Sequence, residues 1–447
     1  MSSENVVELA SQRQHIAVAL SGGGHRASLF ALGALLYLID AGKGPEIATV
    51  SSISGGSITN GYVGMTTDLR TVSPDGFWRD AQPFARQITA VGTVFAAPLT
   101  LSYLAAGAAV IVGAVVATVL LNAAAAWLVW AVALLAVGWL AQQRSWIASR
   151  AFDRALFRGA RLDAMHAGVA HVICAADLQT AEHVYFSARF VNSYRAGWGL
   201  PGGLRLARAV QASAALPGAF NAVVLPVDVH DFEKSPPFTS FKLTDGGVYD
   251  NMGTEWPIRL AERLGEGTPP VALATADELI VINASAGQGV VRRRSLRTPL
   301  LGEISTLLAV KDVLYDQTTA VRRRLLDLRF RVTRRDPAAR EGRLAGALVQ
   351  IDRSPFDLPD AFEGSDTLGA RAKDVIERLG GDDARQAWRD AADANRSVKT
   401  ALSKIPADHA ASVLRHAYAL TMANCHVLLD YPLVEPPDDT RFRELVS

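Results

Sequence analysis

The sequence predicts an α/β fold with a mostly parallel central sheet, interrupted by a two-helix hairpin of membrane character. Three observations carry this. Residues 16–65 read strand, glycine loop, helix, strand, turn, helix, the alternation that builds a sheet covered on both faces. From Gln87 to Gln143 the chain then runs 57 residues without an Asp, Glu, Lys or Arg. Beyond it strands return at His171–Ala175, His183–Phe190, Leu279–Asn283 and Gly346–Ile351, with helical patterns from about 298 to 324 and from 368 to 430.

The first strand, Ile16–Leu20, enters Ser21-Gly22-Gly23-Gly24-His25-Arg26 and then a helix expected over about Ala27–Ala41. Consecutive glycines ahead of a helix present bare N–H groups to an anion, and Arg26 adds positive charge. A Walker loop would need a Gly-Lys-Ser/Thr ending, which is absent. The second strand closes on Val50-Ser51-Ser52-Ile53-Ser54-Gly55-Gly56-Ser57. Gly55 and Gly56 permit a sharp turn that lifts Ser54 onto the start of a helix, the geometry of a G-x-S-x-G nucleophile elbow. Ser52 stands where that pattern has its first glycine. A third stretch, Leu243-Thr244-Asp245-Gly246-Gly247, holds a carboxylate at a strand end with backbone close around it, and a serine nucleophile needs such a base within hydrogen-bond reach. Asp250, five residues on, is a rival for the same role.

In this order the three stretches resemble the patatin-like phospholipase family. The resemblance extends to Ala212-Ser213-Ala214-Ala215-Leu216-Pro217 and to the strand Val172–Leu178. It covers roughly residues 14–65 and 150–285. It implies a patatin-like three-layer α/β fold. It implies a Ser54–Asp245 dyad without histidine, with Gly22, Gly23, Gly24 and Arg26 forming the oxyanion hole and Ser52, Gly55 and Gly56 forming the elbow. It implies hydrolysis of lipid acyl esters with no metal and no cofactor. Ser52 and Ala27 depart from the family pattern by putting small side chains where glycine is usual. If Ser52 only crowds the elbow, Ser52→Gly leaves activity equal or higher.

The chain has 447 residues with 45 Lys+Arg against 44 Asp+Glu, a formal net charge of +1. That balance gives no reason to expect nucleic acid as a partner. Two cysteines, Cys174 and Cys425, form no disulfide framework and read as buried thiols. The polar N-terminus to Gln14 lacks the apolar core of a cleaved signal. Among nine histidines, His25 beside the glycine loop is the nearest rival base; His416 and His426 read as core residues. His166, His171 and His183 lack metal-ligand spacing.

The uncharged run is too long for one span and fits two, Pro98–Leu121 and Ala123–Gln142, turning at Asn122. Ala105, Ala109, Gly113 and Ala117 recur every fourth residue and suggest a smooth packing face. Trp127 and Trp130 lie near the turn, Trp139 and Trp146 near the other end, matching interfacial belts. Arg79, Arg86, Arg144 and Arg150 flank the run while its turn has no cation, which puts both ends in the cytoplasm. Arg150, Arg154, Arg158 and Arg161 follow at helical spacing, a stripe suited to anionic headgroups or to solvent. Arg292–Arg294 and Arg322–Arg324 read as solvated faces, and Tyr431–Ser447 as a mostly polar tail.

The expected organisation is a first part of the catalytic domain over 1–86, a transmembrane hairpin over 87–146, a second part over 147–290, and a helical C-terminal extension over 291–447 packed on it. The expected protein is an integral membrane acyl hydrolase, its catalytic domain cytoplasmic, its partners a lipid substrate and the bilayer. Two readings of other classes stay open at this stage: an inactive patatin-like scaffold or lipid-binding protein, and an acyltransferase using the same serine.

Overall fold

A computed structural model describes residues 14–285, 299–335, 344–365 and 367–447. The run Arg292–Arg294 lies outside the described residues. Residues 16–66 follow the predicted alternation: β1 (Ile16–Leu20), α1 (Gly24–Asp40), β2 (Ile47–Ser52) and α2 (Gly55–Thr66). Helix α1 begins three residues before the expected Ala27, because Gly24 already takes up the first helical position behind Gly23 at φ 139°. Next come α3 (Pro74–Ala90), the paired α4 (Pro98–Leu120) and α5 (Ala123–Gln142), and α6 (Arg144–Phe152). The second half of the sheet supplies β3 (Ala170–Asp177), β4 (Glu182–Phe186), β5 (Val191–Ser193), β6 (Gly197–Gly199), α7 (Leu206–Ser213), β7 (Val223–Pro226) and β8 (Ser240–Asp245). Then follow α8 (Gly247–Asp250), α9 (Glu255–Glu266), β9 (Glu278–Asn283), α10 (Pro299–Arg335) and β10 (Ala345–Gln350). The chain closes with α11 (Asp357–Phe362), α12 (Gly369–Arg378), α13 (Gly381–Ser397), α14 (Ala407–Leu429) and α15 (Asp439–Val446).

Among the described residues ten strands form one sheet whose main path runs β10-β9-β1-β2-β3-β4-β5-β6. The block from β10 to β3 is parallel, and the strands beyond β3 are antiparallel. β1 lies between β2 and β9 and is buried on both faces, as its unbroken apolar run Ile-Ala-Val-Ala-Leu requires. Its larger residues Ile16, Val18 and Leu20 join the main core with α1 and α14. Ala17 and Ala19 face Leu326 and Phe330 of α10. The sheet is thus the middle of three layers. The C-terminal residues are more than an outer extension, since β10 completes the parallel block. The supposed polar tail contains α15, capped by Asp438 and buried through Phe442, Leu445 and Val446.

α1 and α14 cross closely, and Gly33 makes room for the crossing: a Cβ there would lie 2.3 Å from the Leu414 carbonyl oxygen. In the hairpin, the helix bounds match the expected spans to within a residue, but the packing face does not. Ala114, Ala126 and Ala133 are its buried apolar contacts, and Tyr103 donates to the Leu140 carbonyl at 3.0 Å. Ala105, Ala109 and Gly113 are exposed, and a Cβ on Gly113 would meet nothing within 4 Å. The four-residue repeat therefore marks a face away from the partner helix. The expected arginine stripe is also broken, because the chain leaves the α-helix at Phe152 and turns left-handed at Arg158, φ 49°.

The two glycines give a direct comparison. By helix propensity alone, glycine to alanine stabilises an exposed helix by up to about 1 kcal/mol. Gly33→Ala should instead destabilise by about 1–3 kcal/mol through overpacking, read as a lower denaturation midpoint. Gly113→Ala should leave the midpoint unchanged or raised.

Candidate active site

β2 ends at Ser52, which pairs with Ile173 of β3. Past that point β8 takes over the same edge of β3, antiparallel, with Asp245 opposite Ala175. Two residues of strand separate the pairings, about 7 Å at roughly 3.3 Å per residue. The register thus brings the end of the elbow strand and Asp245 to neighbouring positions.

Ser54 caps α2 with φ 49° and ψ −113°, a backbone conformation that a side chain rarely adopts. Three glycines let the turn close. A Cβ on Gly55 would lie 2.1 Å from the Gly24 carbonyl oxygen, one on Gly56 would lie 2.7 Å from that of Leu20, and one on Gly22 would strike Asn251 Oδ1 at 2.4 Å. The N-termini of α1 and α2 therefore meet at Ser54, and neither has an acidic residue in its first turn. Their positive ends stay uncompensated, a setting that favours an anion.

Ser54, Gly22, Gly23, Gly24, Arg26 and Asp245 all line one cavity of about 620 Å³. Asp245 is 3% exposed, and its Oδ1 accepts from the Gly247 N–H at 2.8 Å. α10 contributes Asp312, Tyr315 and Asp316 to the opposite wall. Burial first, then the charges of Asp245 and Asp312, push the Tyr315 phenol well above its ordinary value.

Two expected oxyanion roles change. The Gly22 N–H donates to the Asn251 carbonyl at 3.0 Å, so it is already engaged. Gly23 and Gly24 remain, at the helix head where N–H groups have no intrahelical acceptor. The Arg26 guanidinium donates to the carbonyls of Arg396, Val398 and Ala284 at 2.8–2.9 Å, and burial lowers its pKa to about 10. It ties the C-terminal chain over the glycine loop, and its charge reaches the cavity from there.

Ser52 is not a crowding residue. Its buried hydroxyl donates to the Val172 carbonyl at 3.0 Å and accepts from Asn60 Nδ2 at 2.9 Å. The Ser57 hydroxyl lies 3.0 Å from Ser52 Oγ and 2.9 Å from Ser213 Oγ. Ser213 in turn donates to the Cys174 carbonyl at 2.6 Å and accepts the Ser54 N–H at 3.0 Å. Its carbonyl accepts the Gly246 N–H. Ser213, noted in the sequence only within its motif, thus joins the elbow, β3 and the aspartate strand. Asp250 is excluded from the cavity: it is fully buried and accepts from Met252, Thr254 and Glu255 at the head of α9.

No histidine lines the cavity. His25 Nδ1 donates to the Ser403 carbonyl at 2.7 Å, leaving Nε2 to accept from Thr93 Oγ1 at 2.8 Å. His416 Nε2 donates to the Arg353 carbonyl. Burial lowers His25, His183 and His416 to about 4 and His171 to about 3. Among the described residues no cluster of three or more His, Cys, Asp or Glu could hold a metal ion.

Residues 398–406 form a strap between α13 and α14. Ala401 accepts the His25 N–H at 2.9 Å, and Leu402 accepts that of Thr93. Phe95, just before α4, lines the cavity. On the return side Arg144 donates to the carbonyls of Gly218 and Ala219 at 3.1 and 3.3 Å. Both roots of the hairpin therefore reach the cavity wall.

No family model matches the chain, and no curated protein does. Solved structures similar to it include the following two. Human GIVD cytosolic phospholipase A2 aligns at TM-score 0.26 and 17% identity, over 48% of this chain and 30% of that one. This chain thus spans less than a third of that phospholipase. VipD from Legionella pneumophila aligns at TM-score 0.25 and 13% identity, over 97% of this chain and 90% of that one.

Two outcomes follow from the hydrogen bonds. Ser52→Gly removes the buried hydroxyl that joins Val172, Asn60 and Ser57 and should cost about 1–3 kcal/mol of stability, with activity lowered rather than raised. An equal or faster rate at unchanged stability contradicts the network's role. The four buried histidines have native values below the unfolded value of 6.5. Their contribution is complete above about pH 6.5 and is lost as pH falls towards about 4. Thermal midpoints in detergent should therefore fall steadily from pH 7 to pH 4.5.

Proposed function

We propose that the chain is a membrane-anchored serine lipid acyl hydrolase of the patatin-like type, acting on phospholipid or lysophospholipid esters. The observation that carries the reading is the backbone of Ser54, held at φ 49° and ψ −113° at a helix head, in one cavity with a buried carboxylate. Strain of this kind costs about 1–3 kcal/mol and persists where a site uses it. In the proposed reaction Ser54 Oγ attacks the ester carbonyl and Asp245 takes its proton. The tetrahedral oxyanion accepts from the N–H groups of Gly23 and Gly24. Collapse expels the alcohol, which takes the proton from Asp245. Water then attacks the acyl carbon as Asp245 takes one of its protons, the acyl–oxygen bond to Ser54 breaks as that proton passes to Ser54 Oγ, and a fatty acid leaves. Losing one oxyanion donor typically costs about 100- to 1,000-fold in rate.

In this reading residues 87–146 are an insertion that anchors a catalytic unit drawn from 1–86 and 147–290. α4 and α5 are 23 and 20 residues long and contain no Asp, Glu, Lys or Arg. At 1.5 Å per residue each measures about 30–35 Å, close to the hydrocarbon thickness. Their surfaces are exposed, with Val119 at 81%, Trp127 at 76% and Leu135 at 75%. An apolar patch of that extent marks a membrane or a partner. The flanking arginines favour both hairpin ends in the cytoplasm.

Ser54→Ala and Asp245→Asn should each abolish fatty acid release from a panel of phospholipids, lysophospholipids and acylglycerols while the fold persists. Wild-type protein should react with a fluorophosphonate, and Ser54→Ala should not. Acyl transfer to an added lipid alcohol in place of fatty acid release would mark a transferase. Retained hydrolysis in Ser54→Ala would sink the mechanism. For the anchor, a cysteine at Asn122 should be labelled from outside intact cells and one at Arg79 should not. Protection of Asn122 in both intact cells and inverted vesicles contradicts the two-span topology.

A further inference from the structure

A second cavity of about 680 Å³ lies away from the first, between the C-terminal half of α10, β10, α11 and α14. The two share no lining residue. Five arginines line it, Arg323, Arg324, Arg331, Arg334 and Arg353, against two aspartates, Asp327 and Asp357, an excess of 5 − 2 = 3 positive charges. Both carboxylates are already taken: Asp327 pairs with Arg331 at 2.9 Å, and Asp357 lies 3.9 Å from Arg353 while accepting the Ser354 N–H. Among the described residues no carboxylate pairs with Arg323, Arg324 or Arg334. Burial holds Arg334 below the ordinary guanidinium value, and the nearby Asp327 charge offsets only part of that desolvation.

Two further features narrow what fits. Much of the remaining lining is hydrocarbon, with Leu348, Leu358, Phe362, Leu420 and Leu428, and the Arg334 guanidinium lies over the Phe362 ring, 5.6 Å from its centroid. At one edge lies Asn424, 5% exposed. Its Nδ2 donates to the Leu348 carbonyl at 3.0 Å, which fixes the amide orientation, because that carbonyl can only accept. Asn424 Oδ1 is then a buried acceptor without a partner. An unmet buried acceptor is costly and calls for a donor. The cavity therefore presents unpaired guanidiniums, an apolar wall and one waiting acceptor. Guanidiniums favour phosphate for its bidentate geometry.

We propose that this cavity is a second ligand site, taking an amphiphilic phosphate ester that carries a free hydroxyl. The phosphate meets Arg323, Arg324 and Arg334, the hydroxyl donates to Asn424 Oδ1, and the acyl chain covers the leucines. A monoacylglycerol phosphate has this chemistry. The site does not rest on the acyl hydrolase reading, and its test does not measure hydrolysis.

The test uses full-length Ser54→Ala protein in detergent and a monoacylglycerol phosphate with a photoactivatable group on its chain, with cross-links mapped by peptide. Labelling should fall on peptides containing 323–334 and 420–428. Arg334→Gln and Arg323→Gln should each weaken it about tenfold. Arg323 is only half-buried, so its variant carries the test if Arg334→Gln fails to fold. Unlabelled monoacylglycerol phosphate should compete at least about tenfold better than oleate or inorganic phosphate. Labelling confined to peptides containing Phe95, 216–220 or 396–402 overturns the proposal, since it reports the first cavity. Equal competition by oleate or by inorganic phosphate overturns it as well, as does unchanged labelling in folded Arg323→Gln protein.

Discussion

The arrangement around Ser54 depends on one close approach, that of two helix N-termini. α1 and α2 start from adjacent parallel strands and converge until Gly55 touches the Gly24 carbonyl. A side chain at Gly55 would force the helix heads apart, one at Gly56 would strike the end of β1, and one at Gly22 would strike Asn251. The same contact turns Ser54 left-handed and leaves two positive helix ends facing one point. Such an assembly is unfavourable without an anion and is held together by the parts around it. Ser213 grips the Ser54 N–H, Arg26 draws in three carbonyls from two other segments, and the strap at Ala401 lies across Gly24.

What the sequence made legible was what short patterns encode. The strand and helix alternation, the glycine loop and the hairpin bounds all come from local periodicity or composition. Asp245 and Ser54 could be named, but the reason they are neighbours could not. That reason is register: β8 replaces β2 along β3, and no local pattern near Asp245 announces an antiparallel strand there. The part played by Ser52 was not legible for a related cause. Against a motif it is a glycine gone missing, whereas its hydroxyl is met by Asn60 from the next helix and Val172 from the next strand. The Gly22 N–H and the Arg26 guanidinium looked available because their partners, Asn251 and residues 284–398, are hundreds of positions away. In the hairpin a four-residue repeat of small side chains was a sound signal for smoothness but not for direction. The Tyr103–Leu140 and Ala114 contacts select another face.

The hairpin is structurally tied to the cavity and is not merely appended to the chain. Thr93, two residues before Phe95, is held both by the strap and by His25, whose ring bridges the strap to the start of α1. On the other side Arg144 and Ser145 hold the loop at 218–221 that supplies Ala219 and Phe220 to the wall. A shift of one hairpin root is therefore transmitted to the cavity wall through hydrogen bonds, without passing through the sheet.

The sheet has a further consequence for how the chain is made. β1 lies between β2, its near neighbour, and β9, whose paired residues begin at Glu278 opposite Ile16. Pairings so distant in sequence form late and slowly. During synthesis β1, β2 and the elbow emerge first, and the hairpin must find its place next. Only afterwards do Cys174 and Ser213 arrive to hold Ser54 in its strained turn, with Asp245 later still. A nascent chain halted after α5 has Ser54 but neither Ser213 nor Asp245, so the cavity stays incomplete until translation has passed the strap that supplies Ala401 and Leu402 to its wall.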